Sequence, residues 1–337
     1  MSEKKKNQHY VPKCYLKSWC MPNSNQLNVY DKGKRKVRVN HIDDVASENY
    51  FYDLDFSGTL SEETIKNLGL EGVDLSKIDE GQYLENYFSN NVEGAYKTLL
   101  QRIINKVMSM SAWEIKNCYF ISEEDLIGLS YFIAIQFIRV KSVRDSIADS
   151  ADCLDQALID MGVPETLRKK YWVSEQKLKI IHAKMLVNKK QIIEETMIFG
   201  NHIWILLFNK TSQPFYTSDN PIGTIEHIKD PIFSMSGIAC KGVEIFFPIS
   251  PKLMLVMFER EYHSDKNKYD KRIIEIDNVE DVRRYNARSV LNSLYCTYSP
   301  DDDFSIVDDM LKKNPNILDR PRSVVHGGGK DYFPQKR

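Results

Sequence analysis

The chain has 337 residues, 42% of them hydrophobic and 28% charged, which is ordinary for a globular protein with a sizeable core. Its 46 Lys/Arg and 47 Asp/Glu nearly cancel, leaving a formal net charge of −1. No apolar stretch follows the Met1-Ser2-Glu3-Lys4-Lys5-Lys6 start, and the longest nearly apolar run, Ile127 to Ile138, holds Gln136 and is too short to span a bilayer. These features argue against a secretory signal and a membrane segment, and the expected location is the cytoplasm.

Charge is unevenly spread. Residues 1–41 carry ten Lys/Arg against Glu3 and Asp31, whereas residues 42–95 carry Lys66 and Lys77 against thirteen Asp/Glu. Such asymmetry fits either a nucleic-acid or protein partner, or two neighbouring segments that neutralise each other. The first element expected is a β-hairpin, with Leu27-Asn28-Val29-Tyr30 alternating before a basic turn at Lys32-Gly33-Lys34-Arg35-Lys36 and Val37-Arg38-Val39 alternating after it. Asp79 to Met110 then reads as helix, because Tyr83, Tyr87, Phe88, Val92, Tyr96, Leu99, Leu100 and Ile103 recur at three- and four-residue steps. Ser122, with Asp125 three residues on, announces a second helix that runs on towards Met161 and stops at Gly162-Val163-Pro164. A third is expected over Glu165 to Thr196.

At Gly200 the texture changes to strands. The apolar run His202 to Phe208, then Phe215-Tyr216-Thr217 after a turn at Asn209 to Pro214, the pair Glu244–Phe247 and Leu253–Phe258 around Pro248-Ile249-Ser250-Pro251, and Ile273–Ile276 suggest an antiparallel meander. A helix capped near Asp277 or Asn278 follows, ending near Tyr295. The expected fold class is therefore α+β: an N-terminal β-hairpin, a helical middle at about 79–198, and a C-terminal antiparallel sheet at about 200–299 with a packed helix. Residues 1–300 are read as one domain and 301–337 as an extended or mobile tail.

Six cysteines without a Cys-x-x-Cys pair and seven scattered histidines give no support for a metal site, and no cofactor is implied. Phosphate-loop, dinucleotide-fingerprint and nucleophile-elbow patterns are absent. The candidate chemistry lies in polar islands. His9 can move a proton near neutral pH, with Tyr10 beside it as a hydrogen-bond donor. Gln136 and Arg139 share one face of an otherwise apolar helix, so Arg139 must find an anionic ligand or an acid such as Glu93 or Glu85. Ser218, Asp219 and Asn220 precede Pro221 and could converge on a ligand or cap their own turn.

Taken together, these islands resemble a known family. Gln8-His9-Tyr10-Val11-Pro12 with Tyr15-Leu16, Leu27-Asn28-Val29-Tyr30-Asp31, Ser47-Glu48-Asn49-Tyr50-Phe51-Tyr52, Glu93-Gly94-Ala95, Gln136-Phe137-Ile138-Arg139, Thr217-Ser218-Asp219-Asn220-Pro221 and Pro248-Ile249-Ser250-Pro251 are similar, in consistent order, to elements of the bacterial domain-of-unknown-function 4238 family. The resemblance spans roughly residues 8–299. It implies that the islands belong together, without implying an activity. The leading expectation is a pocket in which His9, Glu93 and Asp219 are catalytic and Tyr10, Gln136, Arg139, Ser218 and Asn220 bind. Its residue types suit a hydrolase or nuclease acting on a phosphodiester, of the kind used by toxin-like or defence effectors. That reading requires His9, Arg139 and Asp219 to share one solvent-reachable cleft. The alternative is a non-catalytic binding or regulatory protein in which the same residues form a structural network.

Overall fold

The computed structural model describes residues 4–54, 82–230, 234–319, 325–327 and 330–334. A short strand, β1 (Asn7–His9), pairs antiparallel with β4 (Ser47–Asn49), setting Gln8 opposite Glu48. Pro12 then precedes a single helical turn, α1 (Lys13–Leu16), as its fixed φ and missing N–H allow. The expected hairpin forms from β2 (Gln26–Asp31) and β3 (Lys36–His41). It does not stand alone. β2 also pairs with β11 (Cys296–Ser299), which pairs with β6 (Thr217–Ser218), giving an antiparallel sheet in the order β3-β2-β11-β6. The first turn residue, Lys32, is consequently buried, with Nζ donating to Ser293 O at 2.6 Å rather than reaching outward.

The helical middle begins with α2 (Tyr83–Tyr87), continued through a π-turn at Phe88–Val92 into α3 (Glu93–Ser109). The expected start at Asp79 lies outside the described residues. Tyr96, Leu99, Leu100, Ile103 and Val107 form the buried face of α3, at the spacing the periodicity predicts. After α4 (Ala112–Asn117), Ser122 caps α5 (Glu123–Arg139) by accepting from Asp125 N at 3.1 Å. Two expected helices are subdivided. The second breaks where Val140 turns extended and bends 47° into α6 (Lys141–Asp160). The third is α7 (Glu165–Tyr171), α8 (Glu175–Val187) and α9 (Lys189–Gly200). Ser174 and Asn188 interrupt it, because each side chain accepts a backbone N–H and caps the helix that follows.

The larger sheet holds β5 (Ile203–Asn209), β7 (Gly223–Glu226), β8 (Val243–Ser250), β9 (Leu253–Phe258) and β10 (Arg272–Ile276) in the order β10-β5-β9-β8-β7. β5, β8 and β9 are antiparallel as expected and β7 joins them without a sequence signal, but β10 runs parallel to β5, and the strand expected at Phe215–Thr217 is the short β6 of the other sheet, paired with β11. Phe258 at the end of β9 already lies beside Ile203 at the start of β5, so the connection that follows crosses to the other edge of β5 at the same end, which sets β10 parallel to it. Alternation along β5 sends Trp204, Leu206 and Phe208 into the main core, and Ile203, Ile205 and Leu207 beneath α10 (Val279–Asn292) with Val282 and Tyr285. Part of the supposed tail is ordered: α11 (Ser305–Lys313) packs Val307 and Met310 against Tyr30, Tyr216 and Val290. The glycines at 328 and 329 lie outside the described residues.

Candidate functional site

Arg139 occupies the last turn of α5, where the helix dipole favours a cation, and it is 1% exposed. Its Nη2 donates to His9 O at 2.8 Å and to Glu93 Oε1 at 3.0 Å, while Nε donates to Tyr52 Oη at 3.1 Å. The guanidinium lies 4.2 Å from the Phe88 ring centroid. Burial disfavours its charge, but Tyr52 and Glu93 outweigh that and raise its pKa. Tyr52 closes the circuit by donating to His9 O at 3.2 Å and giving its backbone N–H to Gln8 Oε1 at 2.6 Å. One turn back on α5, Gln136 donates to Tyr10 O at 3.2 Å. The islands around 8–12, 47–52, 93 and 136–139 therefore meet, with β1 gripped by its backbone carbonyls.

The His9 ring points away from Arg139. Its Nε2 donates to Ile42 O at 3.3 Å, and burial lowers its pKa to about 4, so the imidazole is neutral at pH 7. Tyr10 packs on Phe51 at 5.2 Å between centroids. A further buried pair lies behind it. Arg144 donates to Phe51 O at 2.8 Å and to His182 Nδ1 at 3.2 Å, while His182 Nε2 donates to Ile138 O at 2.8 Å. Those bonds require the neutral Nε2–H tautomer, and burial together with Arg144 lowers the His182 pKa to about 3.

Asp219 builds a second hub. It is 2% exposed, and it accepts from the backbone N–H groups of Leu294 at 2.8 Å, Tyr295 at 2.7 Å and Cys296 at 3.0 Å, fixing the entry to β11. Burial pushes its pKa up to about 6, against the pull of those donors and of Lys32. Ser218 Oγ accepts from Asn220 N at 3.1 Å and donates to Asn220 O at 2.7 Å, and Asn220 exchanges side-chain bonds with the Asn292 region of α10. Among the described residues no hydrogen bond or ion pair joins Asp219, Ser218 or Asn220 to His9, Glu93 or Arg139. Beside this hub, the Tyr15 hydroxyl ties α1 to β6 and β8, meeting Thr217 Oγ1 at 2.6 Å and donating to Pro248 O at 2.7 Å. Among the described residues His9, Arg139 and Asp219 are 6%, 1% and 2% exposed, which leaves almost no surface for the shared solvent-reachable cleft expected of them. Nothing in the local sequence around them signals how the chain seals them.

An open groove lies one layer out. Between α1, the turn at Ile42–Asp44 and α3 runs a groove of about 500 Å³, with Lys13, Lys17 and Lys97 among its walls and Ile42, Leu100 and Ile104 as its apolar floor. The buried network holds both sides of it. Arg139 and Gln136 fix the backbone leading into Lys13, Arg139 also fixes Glu93 at the start of α3, and His9 and Asn7 hold the turn through Ile42 O and Asp43 O, the latter at 2.6 Å. At the mouth, His41 Nδ1 stands 3.2 Å from Asp43 Oδ2, and Lys13 Nζ stands 3.0 Å from Asp43 Oδ1. The Lys13 ammonium bonded to it holds Asp43 below the usual carboxylate range. His41, Asp43 and Lys97 carried no sequence motif, and only the chain's three-dimensional path assembles them. Among the described residues no group of three or more His, Cys, Asp or Glu side chains could hold a metal ion, and no single helix is long and apolar enough to cross a membrane.

A family model described as a protein of unknown function (DUF4238) matches residues 7–302 of the chain. No curated protein and no solved structure matches it.

Proposed function

Since the chain belongs to the DUF4238 family of proteins of unknown function, we propose that it is a non-catalytic binding or regulatory protein whose family islands form a scaffold beneath a surface groove. One observation carries this reading: the Arg139 guanidinium, 1% exposed, already bonds His9 O, Tyr52 Oη and Glu93 Oε1. An incoming anion would have to displace those partners in a dry interior, at a cost of several kcal/mol, roughly. The six cysteines, all free, suit a reducing compartment, and the cytoplasm is the location this reading takes. The test is a pair of assays on Arg139→Ala. The scaffold reading expects a large loss of melting temperature, whereas a fully stable variant defective only in binding would refute it.

Phosphodiester hydrolysis, in a nuclease of toxin-like or defence type, stands as the second reading. What favours it is the His41–Asp43 pair at the mouth of a lysine-lined groove, where an imidazole could exchange a proton beside a bound phosphate. Incubation with labelled RNA and DNA tests it. Cleavage that disappears in His41→Ala, with the fold intact, would move this reading ahead of the first. Cleavage lost in His9→Ala and Asp219→Ala but not in His41→Ala would return the chemistry to the buried islands.

A further inference from the structure

We propose that the groove between α1 and α3 is the binding site for a small phosphorylated molecule, its phosphate groups held by Lys13, Lys17 and Lys97 and its organic body lying over Ile42, Leu100 and Ile104. The inference rests on the binding reading and supplies its ligand class. Size comes first. A volume of about 500 Å³ falls within the roughly 300–1,000 Å³ of small-molecule sites, and it is small for a folded protein partner.

Charge comes second. Three ammonium groups face one carboxylate, Asp43, so the groove is electropositive even with His41 neutral. Two of the three are held in place by the protein itself. Lys13 is bonded to Asp43 at 3.0 Å, and Lys17 Nζ donates to Ser24 O at 2.8 Å and to the Asn25 side chain. Each ammonium has three donors, so these bonds leave protons for a ligand. Lys97 has no hydrogen-bond or ion-pair partner among the described residues. Holding like charges around one hollow is unfavourable until an anion enters, and that difference is available as binding free energy.

The residue types narrow the anion. The walls hold lysines and no arginine. Arginine's fork serves carboxylate and phosphate alike, while lysine is a compact point charge that binds phosphate without a fixed two-point geometry, so the choice rests on the number of charges. Several lysines around one hollow match the multiple charges of a phosphate ester or diphosphate better than the single charge of a carboxylate. The apolar strip from α3 covers the remaining contact area. It has no aromatic platform for stacking successive bases, which argues against a long single strand as the natural occupant.

The experiment is isothermal titration of the full chain with ADP, with inorganic pyrophosphate and with a single-stranded 12-nucleotide RNA. Wild-type protein should bind ADP and pyrophosphate. Lys97→Glu, at an exposed site with no partner to lose, should weaken both about tenfold or more at unchanged melting temperature, as expected on losing a charge-assisted contact. Lys13→Ala should weaken them also, and Lys190→Glu, on the exposed side of α9, should not. The inference is overturned if neither small probe binds, if the affinities of Lys97→Glu and Lys13→Ala match wild type, or if only the RNA binds. Any of those results leaves the Arg139 scaffold test untouched, so failure here and failure of the scaffold reading are separable.

Discussion

Truncating Arg139 to alanine removes a cation that holds three partners at once. Glu93 loses a 3.0 Å bond, His9 O a 2.8 Å bond and Tyr52 Oη a 3.1 Å bond, while Phe88 loses the guanidinium stacked at 4.2 Å. Breaking a buried ion pair by deleting one partner costs about 3–5 kcal/mol. The lower part of that range applies to the pair alone, because the Glu93 side chain is 25% exposed and water recovers some of its solvation. The His9 carbonyl and Tyr52 hydroxyl left inside keep only their mutual 3.2 Å bond and each loses a charged partner, which carries the total back towards the middle, about 4 kcal/mol. For a chain of this size each kcal/mol corresponds to about 2 °C, so the melting temperature should fall by roughly 8 °C. Differential scanning fluorimetry with matched circular dichroism measures it. Arg139→Lys, which keeps the charge but not the fork, should fall between wild type and Arg139→Ala. A shift below about 1 °C for Arg139→Ala would refute the reasoning.

Tyr15→Phe deletes the hydroxyl that ties α1 to β6 and β8 and leaves Thr217 Oγ1 and Pro248 O short of a partner, so it should cost about 1–3 kcal/mol in urea denaturation, and a loss below about 0.5 kcal/mol would contradict that tie. His9 and His182 have folded pKa values lowered to about 4 and about 3 from the ordinary 6.5, so their contribution is present above pH 6.5 and lost as pH falls towards those values. Asp219, raised to about 6 from 3.8, works oppositely, its contribution being present below 3.8 and lost as pH rises through 6. Two histidines outweigh one aspartate, and stability should decline from pH 6.5 to pH 5. Imidazole nitrogen NMR at pH 5 should report both rings neutral; a charged His182 at that pH would overturn the tautomer assignment.

What the chain discloses locally it discloses well. The Ser122 cap, the β2–β3 hairpin, the buried stripe of α3 and the apolar runs of β5 and β9 follow from rules that act within a few residues. The break at Val140 and the parallel β10 are illegible, because packing of neighbouring elements decides them, whereas the break at Asn188 rests on a local cap that a continuous helical pattern hides. Arg139 marks the boundary between the two kinds of information. Its helix face and its need for an acid were readable, and Glu93 is one of the two acids the sequence offered. Its bond to the carbonyl of His9 crosses 130 residues, and that to Tyr52 crosses 87. A backbone carbonyl has no identity in the sequence, so the role of His9 as an acceptor through its main chain could not be anticipated. Proton-transfer and anion-binding residue types suggested chemistry, while burial decides whether a substrate can reach them.

If the polar islands form two separate structural hubs, Arg139 and Asp219 are energetically independent, and a double-mutant cycle measures that independence. Arg139→Lys, Asp219→Asn and the double variant are unfolded in urea together with wild type. Sites that share no partner should add within about 0.3–0.5 kcal/mol, each single variant being clearly destabilised. A coupling well above 1 kcal/mol between Arg139 and Asp219, with little destabilisation from either alone, would contradict the account and place the two residues in one functional site.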